Sequence, residues 1–200
     1  MKNKKKNKVG LLGGTFDPPH IAHLQLAGFV LAKLELDRIY FIPAAIHAVK
    51  KHTVTPVEIR YEMIQAAIAE FKSFRVSRIE MQRPKVSYSI DTLRQFKKYE
   101  KIPAATELFY ILGMDNLYEF HLWKDPLEIF QLARVVILNR PGFQDKEMIR
   151  KYPQVLVLDS PLYNISATEI RRKVKSGETV TGIIPLKVEQ LIHQYNLYRD

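Results

Sequence analysis

Two histidines three residues apart, His20 and His23, follow a glycine pair in the stretch KVGLLGGTFDPPHIAHL, Lys8 to Leu24. Imidazoles so placed can donate hydrogen bonds, and carry positive charge when protonated, where a phosphoryl group gains negative charge in its transition state. Gly13 and Gly14 let a phosphate approach the backbone closely, and a helix starting behind them offers unpaired N–H groups and a positive dipole end to an anion. A metal pair is one competing reading, but no third ligand stands at a persuasive spacing and catalytic zinc takes three protein ligands. Histidines that merely pack at a helix start are the other. The turn does not align with G-x-G-x-x-G, and no G-x-x-x-x-G-K-[ST] loop occurs, so hydride transfer and P-loop hydrolysis lose ground.

A second turn with chemistry in it is NISATEIRR, Asn164 to Arg172, where Ser166 and Glu169 have the spacing of a capping box. A well-capped helix would explain that spacing alone. Thr168 and Arg171 on the same turn add a hydroxyl and a guanidinium beside free backbone donors, a set that suits a polyphosphate. Asp17 reads as a turn residue whose carboxylate bonds nearby N–H groups, with a metal ligand as the rival reading.

The elements that must hold these turns alternate along the chain. The run ending at Gly13 reads as a buried strand, and the helix after Pro19 repeats Ile21, Leu24, Gly28 and Leu31 on one side. Further strands are expected at Arg38–Pro43, Phe74–Met81, Glu107–Gly113, Arg134–Arg140 and Val155–Asp159. Helices are expected at Pro56–Phe71, with Ile59, Met63, Ala66 and Ala67 as its stripe, then near Ser89–Tyr99 and Pro126–Leu132. Two more close the chain, the last burying Leu186, Leu191, Ile192 and Tyr195. Strands alternating with helices favour an α/β, Rossmann-like, doubly wound and mainly parallel sheet with helices on both faces, its ligands at the carboxyl ends of the strands where their order switches.

The 200 residues, 46% of them hydrophobic, can bury a core of their own. No linker or repeat breaks them, so residues 8–200 read as one domain behind a mobile basic tail at 1–7. Cysteine is absent, which excludes disulfides and thiolate metal sites. No apolar run reaches membrane length and no signal-type segment follows the opening lysines, so a cytoplasmic protein without a membrane partner is expected. Five lysines in the first eight residues supply about half of the net charge of +10. A nucleic-acid partner is disfavoured, because basic and aromatic residues do not interleave on any one strand.

GGTFDPPHIAHL and ISATEIR together resemble the HxGH-type nucleotidyltransferases, and the chain from Lys8 nearly to its end is similar to the bacterial nicotinate-nucleotide adenylyltransferases. The ordered set that carries the likeness includes FIPAAIHAVK, HTVTPVEIRYEMIQAAI, VSYSIDTL, FYILGMDNL with Trp123 after it, VVILNRPGF and IIPLKVEQLIHQYNLY. The resemblance implies transfer of AMP from ATP to nicotinate mononucleotide, with magnesium (Mg2+) carried on the ATP. It implies that Gly13, Gly14 and Thr15 lie against the phosphates and that His20 and His23 contact them at the reacting centre. Lys50 is implied as a further phosphate contact, and Ser166, Thr168 and Arg171 as holding the β and γ phosphates. Asp115, and more weakly Arg140, match the adenosine side. Trp123 falls where the family stacks a ring on the pyridine, and Ser89 where a hydroxyl helps place the nicotinate carboxylate. No protein ligand of the metal is implied, and a homodimer is left open. Ala22 replaces the glycine of the family's HxGH, Ala167 a serine, and HAVK, His47 to Lys50, its usual PPHK. Nicotinamide mononucleotide and phosphopantetheine remain alternative acceptors.

Overall fold

A computed structural model describes residues 7–45, 55–83, 86–139, 145–161 and 163–199. Apart from Asn7, the expected tail lies outside the described residues, as do Lys50 with the rest of its HAVK loop, and Arg140.

Six strands, β1 (Lys8–Gly14), β2 (Arg38–Pro43), β3 (Phe74–Val76), β4 (Glu107–Gly113), β5 (Arg134–Asn139) and β6 (Leu156–Asp159), form one sheet in the order β3-β2-β1-β4-β5-β6. Every neighbouring pair is parallel. The helices between and after them are α1 (Ile21–Lys33), α2 (Val57–Ile68), α3 (Ser89–Tyr99), α4 (Met114–Glu119), α5 (Pro126–Leu132), α6 (Lys146–Lys151), α7 (Ala167–Lys175) and α8 (Leu186–Gln194). None is long and apolar enough to cross a membrane among the described residues.

Successive strand side chains go to opposite faces, so this sheet feeds two cores. Ile39, Phe41, Phe109, Ile111, Val136 and Leu138 meet Leu24, Val30, Met63, Ile64, Ile170, Val188 and Ile192, which brings α1, α2, α7 and α8 onto one face. Val9, Leu11, Tyr40, Ile42, Leu108, Tyr110, Val135 and Ile137 meet Ile90, Leu93, Phe96, Leu117 and Ile129 from α3, α4 and α5 on the other. Central strands buried on both sides read as unbroken apolar runs, as RVVILN does. Gly10 stands where an added Cβ would come within 2.9 Å of Leu36 and 3.0 Å of Ile39 and Ile111, so its bare backbone lets the segment after α1 close on the sheet.

Four expectations are corrected. β3 stops at Val76 instead of Met81: Ser77 N still donates to Phe41 O, but the Ser77 hydroxyl then accepts from Ile79 N at 3.2 Å, and the chain turns Ile79 into the second core. In the buried row of α1 Leu24 stands as expected, but Ala22, Ala27 and Val30 take the places given to Ile21, Gly28 and Leu31; the helix is apolar nearly all round, so its pattern does not single out a face. Of the expected α8 row Ile192 is buried and Leu191 half-buried against the core, and Val188 joins them, while Leu186, at the first helical position, is 66% exposed and Tyr195 lies past the last. In α2 the buried row is Arg60, Met63, Ile64, Ala67 and Ile68, which puts an arginine where the expected stripe had Ile59.

Candidate active site

Strand order reverses between β1 and β4, whose chains leave the sheet side by side at Gly13–Gly14 and Gly113. Ligands of open α/β sheets bind in the crevice that such a reversal creates. From Gly14 the backbone passes through Phe16, held at φ 51°, and the buried Asp17-Pro18-Pro19 to His20, the residue before α1. The peptide bond between Asp17 and Pro18 is cis. Phe16 tolerates its left-handed backbone because its ring is fully packed, 5.6 Å from Phe41 and edge-on to His23 at 5.0 Å.

His20 and His23 stack at 3.7 Å between ring centres. Helical spacing brings them together, and the chain itself fixes one tautomer: His20 N donates to His23 Nδ1 at 3.1 Å. A backbone N–H can only donate, so the proton of the neutral His23 ring sits on Nε2. His20 Nδ1 is buried without a protein partner among the described residues, which leaves that ring with hydrogen-bonding capacity for a ligand.

Burial lowers the His20 pKa to about 4, and burial followed by the charge of His20 holds His23 well below 6.5. Both rings are neutral at pH 7 in the unliganded protein. Between about 4 and 6.5 the unfolded chain therefore binds more protons than the native one. Stability is full above the upper value and falls as the pH drops towards the lower, by at most about 3 kcal/mol from His20. Urea titrations across this range should show a midpoint that falls on acidification, with a flatter slope in a His20→Asn protein. A parent midpoint that holds or rises would contradict the buried neutral pair.

The second turn meets the first. Ser166 caps α7, its hydroxyl accepting from Glu169 N at 3.2 Å, while the Glu169 carboxylate turns to Arg172 instead of completing the capping box. Arg171 Nη1 donates to Asp17 O at 2.7 Å, and its Nη2 lies 3.3 Å from Thr168 Oγ1. Residues 154 apart in sequence thus place the α7 turn beside the loop that carries the histidines. Ser166 and Thr168 remain exposed.

Ser89 and Trp123 are brought together through a residue the sequence reading missed. Tyr110, on β4, shares a 2.7 Å hydrogen bond with the Ser89 hydroxyl and has its ring centre 6.3 Å from that of Trp123. Its hydroxyl also lies 3.7 Å from where a Cβ on Gly13 would stand, so this group adjoins the glycine turn. Asp115, in the first turn of α4, is exposed just past the end of β4. Arg60 was missed as well: fully buried, it donates to Thr15 O at 2.6 Å, Ala44 O at 2.7 Å and Thr55 O at 3.0 Å. The Asp17 carboxylate accepts from Tyr198 Oη at 2.6 Å, and among the described residues no backbone N–H donates to it as its turn reading supposed.

Known proteins resemble this chain along nearly its whole length. A family model described as cytidylyltransferase-like matches residues 11–173. A probable nicotinate-nucleotide adenylyltransferase of Thermus thermophilus is 41% identical over 96% of this chain and 100% of its own length. One of Clostridium tetani is 37% identical over 96% and 99%. The solved Plasmodium falciparum nicotinic acid mononucleotide adenylyltransferase, complexed with NaAD, shares the fold with a TM-score of 0.77 at 20% identity, covering 96% of this chain and 97% of that one. The strand order, the paired turns at its reversal and these full-length likenesses place the chain in the cytidylyltransferase-like family, among the nicotinate-nucleotide adenylyltransferases.

Proposed function

We propose that this chain joins nicotinate mononucleotide to the adenylyl group of ATP, giving deamido-NAD and pyrophosphate. The observation that carries the reading is the 2.7 Å bond from Arg171 to Asp17 O, which sets the histidine turn and the Ser166–Arg171 turn against each other at the strand reversal. Two helix starts held side by side there turn their positive dipole ends toward an anionic ligand.

The 5′-phosphate oxygen of the mononucleotide attacks the α-phosphorus in line; the new P–O bond forms as the bond to the β-phosphate bridging oxygen breaks, and pyrophosphate leaves with the electron pair. No covalent enzyme intermediate is required. Such a displacement asks little proton transfer of the protein, so alignment and charge stabilisation carry the rate. His23 Nε2–H and the His20 ring serve the α-phosphate oxygens, the glycine turn with Thr15 supplies backbone contacts, and Ser166, Thr168 and Arg171 hold the β and γ phosphates. Lys50 adds positive charge to the same phosphates. Asp115 and Arg140 serve the adenosine side, and Trp123 and Ser89 the nicotinate. Among the described residues no three His, Asp or Glu side chains cluster to hold a metal, magnesium favours oxygen ligands, and the Asp17 carboxylate is buried against Tyr198. Magnesium therefore travels as part of the MgATP substrate.

Pyrophosphate release with ATP and nicotinate mononucleotide, nicotinamide mononucleotide or phosphopantetheine in parallel tests the reading. Release with nicotinate mononucleotide should exceed the other two. Absence of release with all three would overturn the proposal, and a faster reaction with another acceptor would replace the substrate.

A further inference from the structure

We infer that Arg60 and Tyr198 are positioning residues for the histidine pair, acting together on the Thr15–Asp17 loop from two elements that carry no residue of the phosphate cradle.

Arg60 sits in the buried row of α2, and its three hydrogen-bond partners among the described residues are all backbone carbonyls. Guanidinium is a planar fork of N–H donors that can satisfy several acceptors at fixed angles, and a carbonyl it holds cannot shift without leaving buried charge unpaired. One of those carbonyls, Thr15 O, belongs to the loop after β1, and another, Ala44 O, to the segment after β2. The two segments are also tied by Ala44 N donating to Gly14 O at 2.9 Å. Burial lowers the Arg60 pKa while the Asp17 carboxylate opposes that shift, so the two charges support one another across the loop.

Tyr198 approaches from the segment after α8. Its hydroxyl donates to Asp17 Oδ1 at 2.6 Å across 181 residues of sequence, and burial raises its pKa, so it stays a protonated donor. Asp17 is thereby held at both ends, its carboxylate by Tyr198 and its carbonyl by Arg171. Only Pro18 and Pro19 separate it from His20, and each proline ring locks its own φ. Few soft dihedrals remain between Asp17 and the imidazole, so a displacement of Asp17 reaches His20 with little loss. None of these bonds touches Ser89, Tyr110 or Trp123.

The kinetic arm of the test rests on the proposed adenylyl transfer, and a second arm does not. Tyr198→Phe keeps the packed ring and removes only the donor. Its kcat per folded molecule should fall about tenfold and its KM for ATP should rise severalfold, while KM for nicotinate mononucleotide stays within about twofold. Arg60→Lys keeps a charge but loses the fork, and its kcat should fall further, about 100-fold. In the independent arm, imidazole nitrogen resonances of His20 and His23 in the unliganded full-length chain should shift in Tyr198→Phe. A folded Tyr198→Phe protein with kcat within about twofold of the parent and unshifted resonances would overturn the inference. So would a loss of rate that merely tracks the folded fraction, with both KM values unchanged. A parent chain that releases no pyrophosphate would overturn the functional reading instead, and the resonances would then decide the positioning role alone.

Discussion

A His20→Ala protein should turn over about 100- to 1000-fold more slowly than the parent, with its KM for ATP changed by less than about threefold. In the proposed function the ground-state triphosphate is gripped at its far end by the α7 turn and along the glycine backbone, neither of which the substitution touches. The proposed role of His20 is instead where charge builds on the α-phosphate oxygens, and a donor fixed in a buried site stabilises such charge by about 3–4 kcal/mol without having to reorganise. Removing the side chain also leaves the His20 backbone N–H in place, so the His23 tautomer should survive. Steady-state kinetics with both substrates varied checks the split. Turnover near that of the parent would remove His20 from the reacting centre, and a loss confined to KM would make it a ground-state contact only.

Arg171→Ala should behave in the opposite way, raising KM for ATP by about 30- to 100-fold and lowering kcat by a smaller factor. Two effects combine in it. The guanidinium is a charge-assisted partner for phosphate, and it also ties α7 to the histidine loop through Asp17 O at 2.7 Å. Arg171→Lys separates the two, because an ammonium keeps the charge but cannot span Asp17 O and Thr168 Oγ1 with a rigid fork. It should recover part of the affinity and little of the turnover. KM for the mononucleotide is the control, and it should hold, since the Ser89, Tyr110 and Trp123 group is built on α3, β4 and the segment before α5. An unchanged KM for ATP in Arg171→Ala would separate α7 from the triphosphate.

Much of this was legible because the sheet is central and buried. RIYFIP, ELFYILG and RVVILN are apolar runs of strand length bounded by turn residues, and all three are strands within a residue of where the pattern puts them. The two turns of the candidate site were legible as turns for a related reason: a glycine pair, histidines and a capped Ser-x-Thr stand out against apolar neighbours. Helix faces were harder. In α1 apolar residues occupy nearly every side, so only contact with the sheet decides which row is buried. Tyr110 was concealed by its setting, since a tyrosine in a fully buried strand looks like one more core aromatic until its hydroxyl is seen against Ser89. Arg60 did leave a signal. It stands three and four residues before Met63 and Ile64 and so extends their row, where a charge needs partners. Those partners are backbone carbonyls from distant loops, which no local pattern encodes.

The separation of 154 residues between Asp17 and Arg171 would make nucleotide affinity, under the proposed function, a property of the whole molecule. A triphosphate lying across both turns would act as a removable cross-link between the opening and closing quarters of the chain, and its grip would vanish if either came loose. Nucleotide at about 100 times its dissociation constant would favour the native ensemble by about 2.7 kcal/mol. Heat tolerance and resistance to proteolysis should therefore follow the nucleotide supply, and a chain emptied of ATP is the one most open to attack.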